Sequence, residues 1–325
     1  METVIGKSIK QAAYFLNQQQ LVAIPTETVY GLAGNAFSET AIQQIYTVKK
    51  RPLYNPLIVH IASIDYLPTI VKNIPSNAYK LFEAFSPGPL TLLLPKKAIV
   101  PNIATAGLPH VAVRIPNHTL TLKLLQQLSF PLAAPSANLF GYISPTQPRH
   151  VFKQLNQTIP YILDGGVCKS GIESTVVGFE KNVPIIYRLG AISKEAIEAV
   201  TGKCLLKNEV NNIAPISPGM IKHHYSPNTP LLVTQSVVNA VQQFKKKKIG
   251  IVSFSNDYSF LKVHHTIVLS KKAQPKEAAK NIYAALHIMD DLQLDIILVE
   301  PMPNIGIGIA VNEKLEKAAA KTNNM

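Results

Sequence analysis

Short apolar runs recur along the first two hundred or so residues and alternate with segments whose apolar side chains return every three or four positions. Residues 8–19 have helical spacing (Ile9, Ala12, Ala13, Leu16) with Ser8 placed to cap it, and LVAIP at 21–25 reads as a short buried strand. The TETVYGLAG that follows reads as a loop rich in hydroxyls. Ser38 caps a second predicted helix, AIQQIYTVKK, with Ile42, Ile45 and Tyr46 on one face; Pro52 stops it ahead of the strand LIVHI. Further strand-like runs are TLLL (91–94), VAVRI (111–115), PLAA (131–134), YILD (161–164), STVVGF (174–179) and IIYRL (185–189), with helices near 76–85, 119–128, 147–155 and 194–200. The mixture predicts one α/β domain over residues 1–202, on a twisted sheet of mixed strand directions.

Periodicity lapses over 203–230, where Asn, Pro, Ser and Gly dominate and the segment ends in SPGMIKHHYSPNTP, so this stretch is expected to be a linker. From 231 to 325 the alternation resumes: LLVT, a helix to Phe244, IGIVSF, TIVLS, a helix over 276–291, DIILVE and a final helix from Ala310. That order predicts a smaller Rossmann-like α/β domain. It holds no GxGxxG and no Walker A pattern, and the GIG at 306–308 is too short to count, so its fold class assigns it no dinucleotide or phosphoryl-transfer role.

Composition agrees with two cores: the chain has 325 residues, 47% hydrophobic and 16% charged. The balance of 32 Lys+Arg against 19 Asp+Glu, a net charge of +13, favours phosphate-bearing partners such as nucleotides or RNA without choosing between them. Lys245 to Lys248 read as a solvated helix end, since they lack the interleaved aromatics of a single-strand binder. Cys168 and Cys204 stand far apart with no CxxC spacing, which points away from a disulfide framework or a zinc knuckle and toward a reducing cytosol. Lys7, Lys10 and the polar 17–20 interrupt any signal-peptide core, and no apolar run reaches the roughly eighteen residues of a membrane span, so a cytoplasmic protein is expected.

The chemistry starts at KKRPLYNPLIVH, residues 49–60, where cations close a helix and a histidine ends the following strand. Such a corner binds anions; cations in a last helical turn also simply complement the helix dipole. Hydroxyl and amide residues stand at the ends of apolar runs: Thr26 and Thr28, Ser136 and Asn138, Ser174 and Thr175. Each alone serves as a turn or cap residue, and together with cations they suggest a polar pocket. Arg114 and Arg188 lie inside apolar runs, where a guanidinium is costly to bury unless it meets a carboxylate or phosphate; the alternative is an edge-facing side chain. Glu27, Asp164 and Glu173 have no paired spacing, so a protein-made metal site is not expected and Mg²⁺ held by substrate phosphates fits better. The pairs His223/His224 and His264/His265 lack metal-ligand spacing. Without a GxSxG, a Cys/His signature or a kinase motif, the pattern describes a cleft that aligns substrates bringing their own nucleophile and leaving group.

PTETVYGL, VKKRPLYNPLIVH, SPGPLTLLL, VAVRIP, APSAN, the SPT at 144–146, ESTVV and YRLG follow one another as in the L-threonylcarbamoyladenylate synthases, which have the YrdC-like fold. SPGMIKHHYSP ahead of a Rossmann-like domain resembles the linker and C-terminal domain of their long form. The resemblance implies adenylyl transfer: L-threonine, bicarbonate and ATP give L-threonylcarbamoyl-AMP and pyrophosphate, for N6-threonylcarbamoyladenosine at position 37 of tRNAs reading ANN codons. It implies catalytic roles for Lys49, Arg51, Ser136 and Asn138. ATP would be held by Arg51, Asn55, His110, Asn138, Thr146 and Arg188, with Tyr225, alongside His224, closing the linker over the nucleotide as a lid. L-threonine would be held by Thr28, His60, Arg114, Ser136 and Ser174. Mg²⁺ would arrive with ATP, no resident metal is implied, and the product would pass to the machinery that transfers the threonylcarbamoyl group to tRNA.

Two other readings remain open at this stage. The +13 charge also suits a non-catalytic RNA-binding factor, and equally a weak tRNA contact by the enzyme. The C-terminal domain, which offers no catalytic set, reads as regulating the first domain or mediating association.

Overall fold

The computed structural model describes residues 2–207 and 225–320. The first predicted helix forms over Ile9–Asn17, with the Ser8 hydroxyl accepting from the Gln11 N–H at 3.2 Å, and the second over Glu39–Lys49, with Ser38 accepting from Ala41. These are the orphan amide donors that an N-cap hydroxyl satisfies. The chain divides into two units, one made of residues 1–140, 145–169 and 173–221, the other of 141–144, 170–172 and 222–325.

The first unit is built on an 11-stranded mixed sheet. Across it the strands run Val4–Gly6, Tyr161–Leu163, Val22–Ile24, Gly31–Asn35, Leu132–Ala133, Ile58–His60, His110–Arg114, Leu90–Pro95, Thr175–Glu180, Val183–Arg188 and Leu205–Leu206. Strand alternation separates two faces. One carries Val59, Val113, Leu92, Leu94, Val177 and Ile186 into a large apolar cluster with the helical residues Ile42, Ile45, Leu81 and Phe82. On the other, Val22, Ile24 and Leu132 pack against Leu16, Leu124 and Leu125. Next to that second cluster the side chains turn polar, and there the candidate site lies.

Four expectations are corrected. The stretch read as a hydroxyl-rich loop ends in a buried strand, Gly31–Asn35, paired with Val22–Ile24 on one side and Leu132–Ala133 on the other. Its glycines hid it: a Cβ on Gly34 would come within 2.9 Å of Leu21 Cδ2, so close packing excludes the β-branched residues by which a strand is usually read. The second helix ends before Pro52, because Lys50 takes the left-handed conformation (φ 51°) and its N–H returns to the Thr47 and Tyr46 carbonyls. Leu205–Leu206 forms a strand parallel to Ile185–Ile186 inside the segment expected to be linker. The final helix begins at Ile307, three residues before Ala310. Residues 208–224 of the expected linker, with His223 and His224, lie outside the described residues.

The second unit carries a 4-stranded parallel sheet in the order Leu231–Val233, Ile296–Val299, Ile249–Ser253, His265–Val268. Helix Val237–Gln243 packs on the face of Ile249, Ile251, Ile296 and Leu298. Helix Pro275–Asp291 covers the opposite face, where Gly250 leaves room for the Met289 sulfur, and Ile307–Ala319 packs beside it. A parallel sheet with helices on both faces is the Rossmann-like arrangement expected. Among the described residues no helix is long and apolar enough to cross a membrane.

Candidate active site

The sheet register assembles one polar row. His60 pairs with Arg114 in parallel register. Leu92 pairs with Val113 in the next, antiparallel ladder, which sets Thr91 beside Arg114. Thr91 then pairs with Val176, and Val176 with Arg188. Register partners project from the same face of a sheet, so His60, Arg114, Thr91 and Arg188 line one strip, all buried. Arg188 reaches that strip through a β-bulge: the register shifts between Ile186 and Arg188, with Ile186 opposite Val177 and Arg188 opposite Val176. Strict alternation would return Arg188 to the side of Ile186, inside the large apolar cluster; the extra residue, Tyr187, keeps it on the polar side.

Each arginine has found oxygen partners, as the cost of burial demands. Arg114 Nη2 lies 2.8 Å from Glu27 Oε1, its Nη1 donates to Thr28 Oγ1 at 2.9 Å, and its Nε to the Gly88 carbonyl at 3.3 Å. The Thr28 and Gly88 bonds occupy two of the five guanidinium N–H bonds and Glu27 is met as an ion pair, leaving donors for a further carboxylate. Glu27 is held in turn by the Asn117 N–H on Oε2. Arg188 donates from Nε and Nη2 to the Ser174 carbonyl and from Nη2 to its hydroxyl, which also shares a 2.7 Å hydrogen bond with Thr91. Gly190, just beyond Arg188, permits this: a Cβ there would lie 2.4 Å from the Ser174 carbonyl carbon.

Burial and the neighbouring Arg114 charge push the His60 imidazole down to about 3, so it is neutral at physiological pH; its Nδ1 lies 3.3 Å from the Ile58 carbonyl.

At the other end of the Ile58–His60 strand stands the corner at residues 49–55. Lys49, the last helical residue, is fully buried, and its ammonium donates to the Ser136 and Asn138 carbonyls, both at 2.5 Å. Burial first, and Arg51 second, hold Lys49 well below the ordinary lysine range. Arg51 curls over its own loop, with Nε to the Asn55 carbonyl at 3.0 Å and Nη2 to Asn55 Oδ1 and the Pro56 carbonyl. Asn55 Nδ2 is buried with no hydrogen-bond partner among the described residues. Lys50 is exposed, in keeping with a helix-end role alone. The isolated bridge between Gly31 and Ser136 joins this corner to the strand that follows Thr28.

Thr146 is buried beside His150, its N–H 3.3 Å from His150 Nδ1. His110 opens its strand half-buried, with burial lowering its pKa. Tyr225 belongs to the second unit, buried at φ 66° and stacked on Tyr283 at 5.7 Å, with the Lys314 ammonium 5.8 Å from its ring centre. Glu27 stands out in the sequence without an assigned role, and Thr91 is not singled out there. The signal for Thr91 was a lone hydroxyl opening an apolar run; for Glu27 it was a carboxylate next to Thr28 that the buried Arg114 needed.

Among the described residues no group of three or more His, Cys, Asp or Glu is placed to hold a metal ion. The arrangement offers carboxylate-binding donors, hydroxyls, a neutral imidazole and buried cations, a set suited to aligning substrates and stabilising charge.

A family model described as telomere recombination, covering the Sua5, YciO and YrdC proteins, matches residues 14–190. A second, described as the C-terminal domain of threonylcarbamoyl-AMP synthase, matches residues 192–320. The threonylcarbamoyl-AMP synthase of Bacillus subtilis is 40% identical over 321 residues, spanning 96% of this chain and 92% of its own. That of Pyrococcus abyssi is 39% identical over 324 residues, 96% of this chain and 94% of its own. The crystal structure of P. abyssi Sua5 complexed with L-threonine matches this fold with a TM-score of 0.92 and 38% identity, over 99% of this chain and 98% of that one.

Proposed function

The chain belongs to the threonylcarbamoyl-AMP synthase family, and on that premise we propose that it converts L-threonine, bicarbonate and ATP into L-threonylcarbamoyl-AMP, pyrophosphate and water. The threonine amine captures CO₂ as a carbamate, a carbamate oxygen attacks the α-phosphorus, and the bond to pyrophosphate breaks. The observation that carries this reading is the polar row, in which Arg114 keeps unspent donors beside Thr28, His60 and Ser174.

Arg114 takes the threonine carboxylate on its remaining N–H bonds. Thr28, Ser174, Ser136 and the neutral His60 supply hydrogen bonds to the rest of the amino acid. A neutral imidazole here avoids a second cation against Arg114 and remains able both to donate and to accept. Arg51, Asn55, His110, Asn138, Thr146 and Arg188 surround ATP, and Tyr225 is a further nucleotide-binding residue. Asn55 is the member with a buried amide donor still to satisfy. Lys49 holds the segment carrying Ser136 and Asn138 in place through its two carbonyl contacts, and phosphates bound beside it would favour its protonated form. Mg²⁺ enters bound to the ATP phosphates as part of the substrate. The product serves the threonylcarbamoyl modification of tRNA in the cytoplasm, passing to a transfer machinery.

Incubation with ATP, L-threonine, bicarbonate and Mg²⁺ tests this: pyrophosphate release that depends on threonine, with the adenylate identified by mass, is expected. Folded protein that releases none in response to threonine overturns it.

A further inference from the structure

The second unit contains a crevice that the proposed synthase reaction leaves unused. Its place follows from topology. Strands Leu231–Val233 and Ile296–Val299 are parallel neighbours, with Leu231 paired to Ile297 and Val233 to Val299. The chain leaving the first strand enters helix Val237–Gln243 on the face of Ile249, Ile251 and Leu298. The chain leaving the second enters helix Ile307–Ala319, which lies beside Pro275–Asp291 on the opposite face. Where two adjacent parallel strands send their connections to opposite faces, their carboxyl ends part and leave a cleft; in open α/β sheets that switch point is where ligands bind.

A cavity of about 770 Å³ occupies this position, lined by residues that follow both strands and by one side of the last helix. Its volume is within the range of small-molecule sites. The lining selects a chemistry. Glu300 and Glu316 are its charged groups, with no lysine, arginine or histidine among the lining residues, in a chain whose net charge is +13. The Glu300 carboxylate is fixed in place by the Phe254 N–H at 2.9 Å, by Asn256 Nδ2 at 2.5 Å and by the Tyr258 hydroxyl at 3.0 Å. Phe254 and Met302, both buried, give the cavity an apolar floor. A phosphate-bearing ligand would meet two negative charges and no compensating cation.

We propose that this crevice is a second ligand site, separate in chemistry from the polar row, and that it takes a small organic amine. The ammonium lies between Glu316 and the fixed Glu300 carboxylate, and the aliphatic stem lies on Phe254 and Met302.

The probe is putrescine, titrated calorimetrically into the full-length protein, with 1,4-butanediol as its uncharged counterpart and inorganic phosphate as an anion. Putrescine is expected to bind and butanediol and phosphate are not. Glu316→Gln should weaken putrescine at least about tenfold, a ΔΔG near 1.4 kcal/mol, and Glu316→Lys should abolish binding. Glu316 is exposed on the last helical turn, where either change leaves the fold intact, and thermal unfolding of both variants verifies this. Absence of putrescine binding, binding undiminished in folded Glu316→Lys, equal binding of butanediol, or phosphate binding lost in neither variant but stronger than putrescine would each overturn the proposal.

Discussion

Arg114 and Glu27 meet at 2.8 Å with both side chains almost wholly withdrawn from water, on the strip that also carries His60 and Thr91. Withdrawing one partner leaves the other charged and uncompensated, which costs about 3–5 kcal/mol. Glu27→Gln, which keeps an acceptor for the Asn117 N–H, is therefore expected to lower stability by that order in urea unfolding. Since Arg114 also loses its orientation, the KM for threonine should rise more than kcat falls. A variant whose unfolding midpoint is unchanged would show that the pair carries little of the fold.

His60 gives the protein a pH dependence of known sign. The unfolded imidazole takes a proton near 6.5, whereas the buried one refuses it until about 3, so the unfolded state binds more protons between those values. The advantage of keeping it neutral is complete above 6.5 and shrinks as pH falls toward 3, by about 1.4 kcal/mol per pH unit. Urea unfolding of His60→Gln at pH 7 and pH 5 should show a shallower loss than the parent protein; equal slopes would place the titration elsewhere.

Arg51 and Asn138 are expected to separate activity from stability. Arg51 ties its own loop through Asn55 and Pro56, bonds worth about 1 kcal/mol each to the fold. Its proposed contact with transferring phosphates is worth on the order of 10²–10³ in turnover, as for other donors aimed at developing charge. Arg51→Ala and Asn138→Ala should thus lose threonine-dependent pyrophosphate release far beyond their loss of unfolding free energy. Parallel losses in both measurements would favour a structural role.

Gly190→Ala tests the approach of Arg188 to Ser174. The new methyl would sit 2.4 Å from the Ser174 carbonyl carbon and 2.5 Å from the Glu173 oxygen, so the two strand ends must part. Overpacking of this kind costs about 1–3 kcal/mol, and the expected signature is a reduced unfolding midpoint together with weaker threonine binding by calorimetry.

How much of this was legible in the sequence differs from element to element. Val22–Ile24 announces itself because apolar side chains fill both of its faces, and Ile58–His60 and His110–Arg114 because β-branched Ile and Val residues run through them. Gly31–Asn35 does not, since the crowding that defines its place in the sheet removes its side chains. The burial cost of Arg114 predicted an anionic partner, and Glu27 is that partner; what one-dimensional spacing could not supply was the register that brings residues 60, 114, 91 and 188 into line. The bulge at Tyr187 is equally silent, because IIYRL reads as uninterrupted alternation until its ladder to Val176 and Val177 is seen.

That transverse strip has a consequence for how the protein comes into being. Its members are gathered from four strands widely separated along the chain, so its contacts are among the least local in the first unit, and contacts of that kind form only after the intervening segments have closed. No nascent chain that stops short of Arg188 can complete it, however well its helices have formed. The strip is in this way complete only in molecules that have finished folding the sheet, and a ligand bound across it would hold its strands together as a single cooperative body.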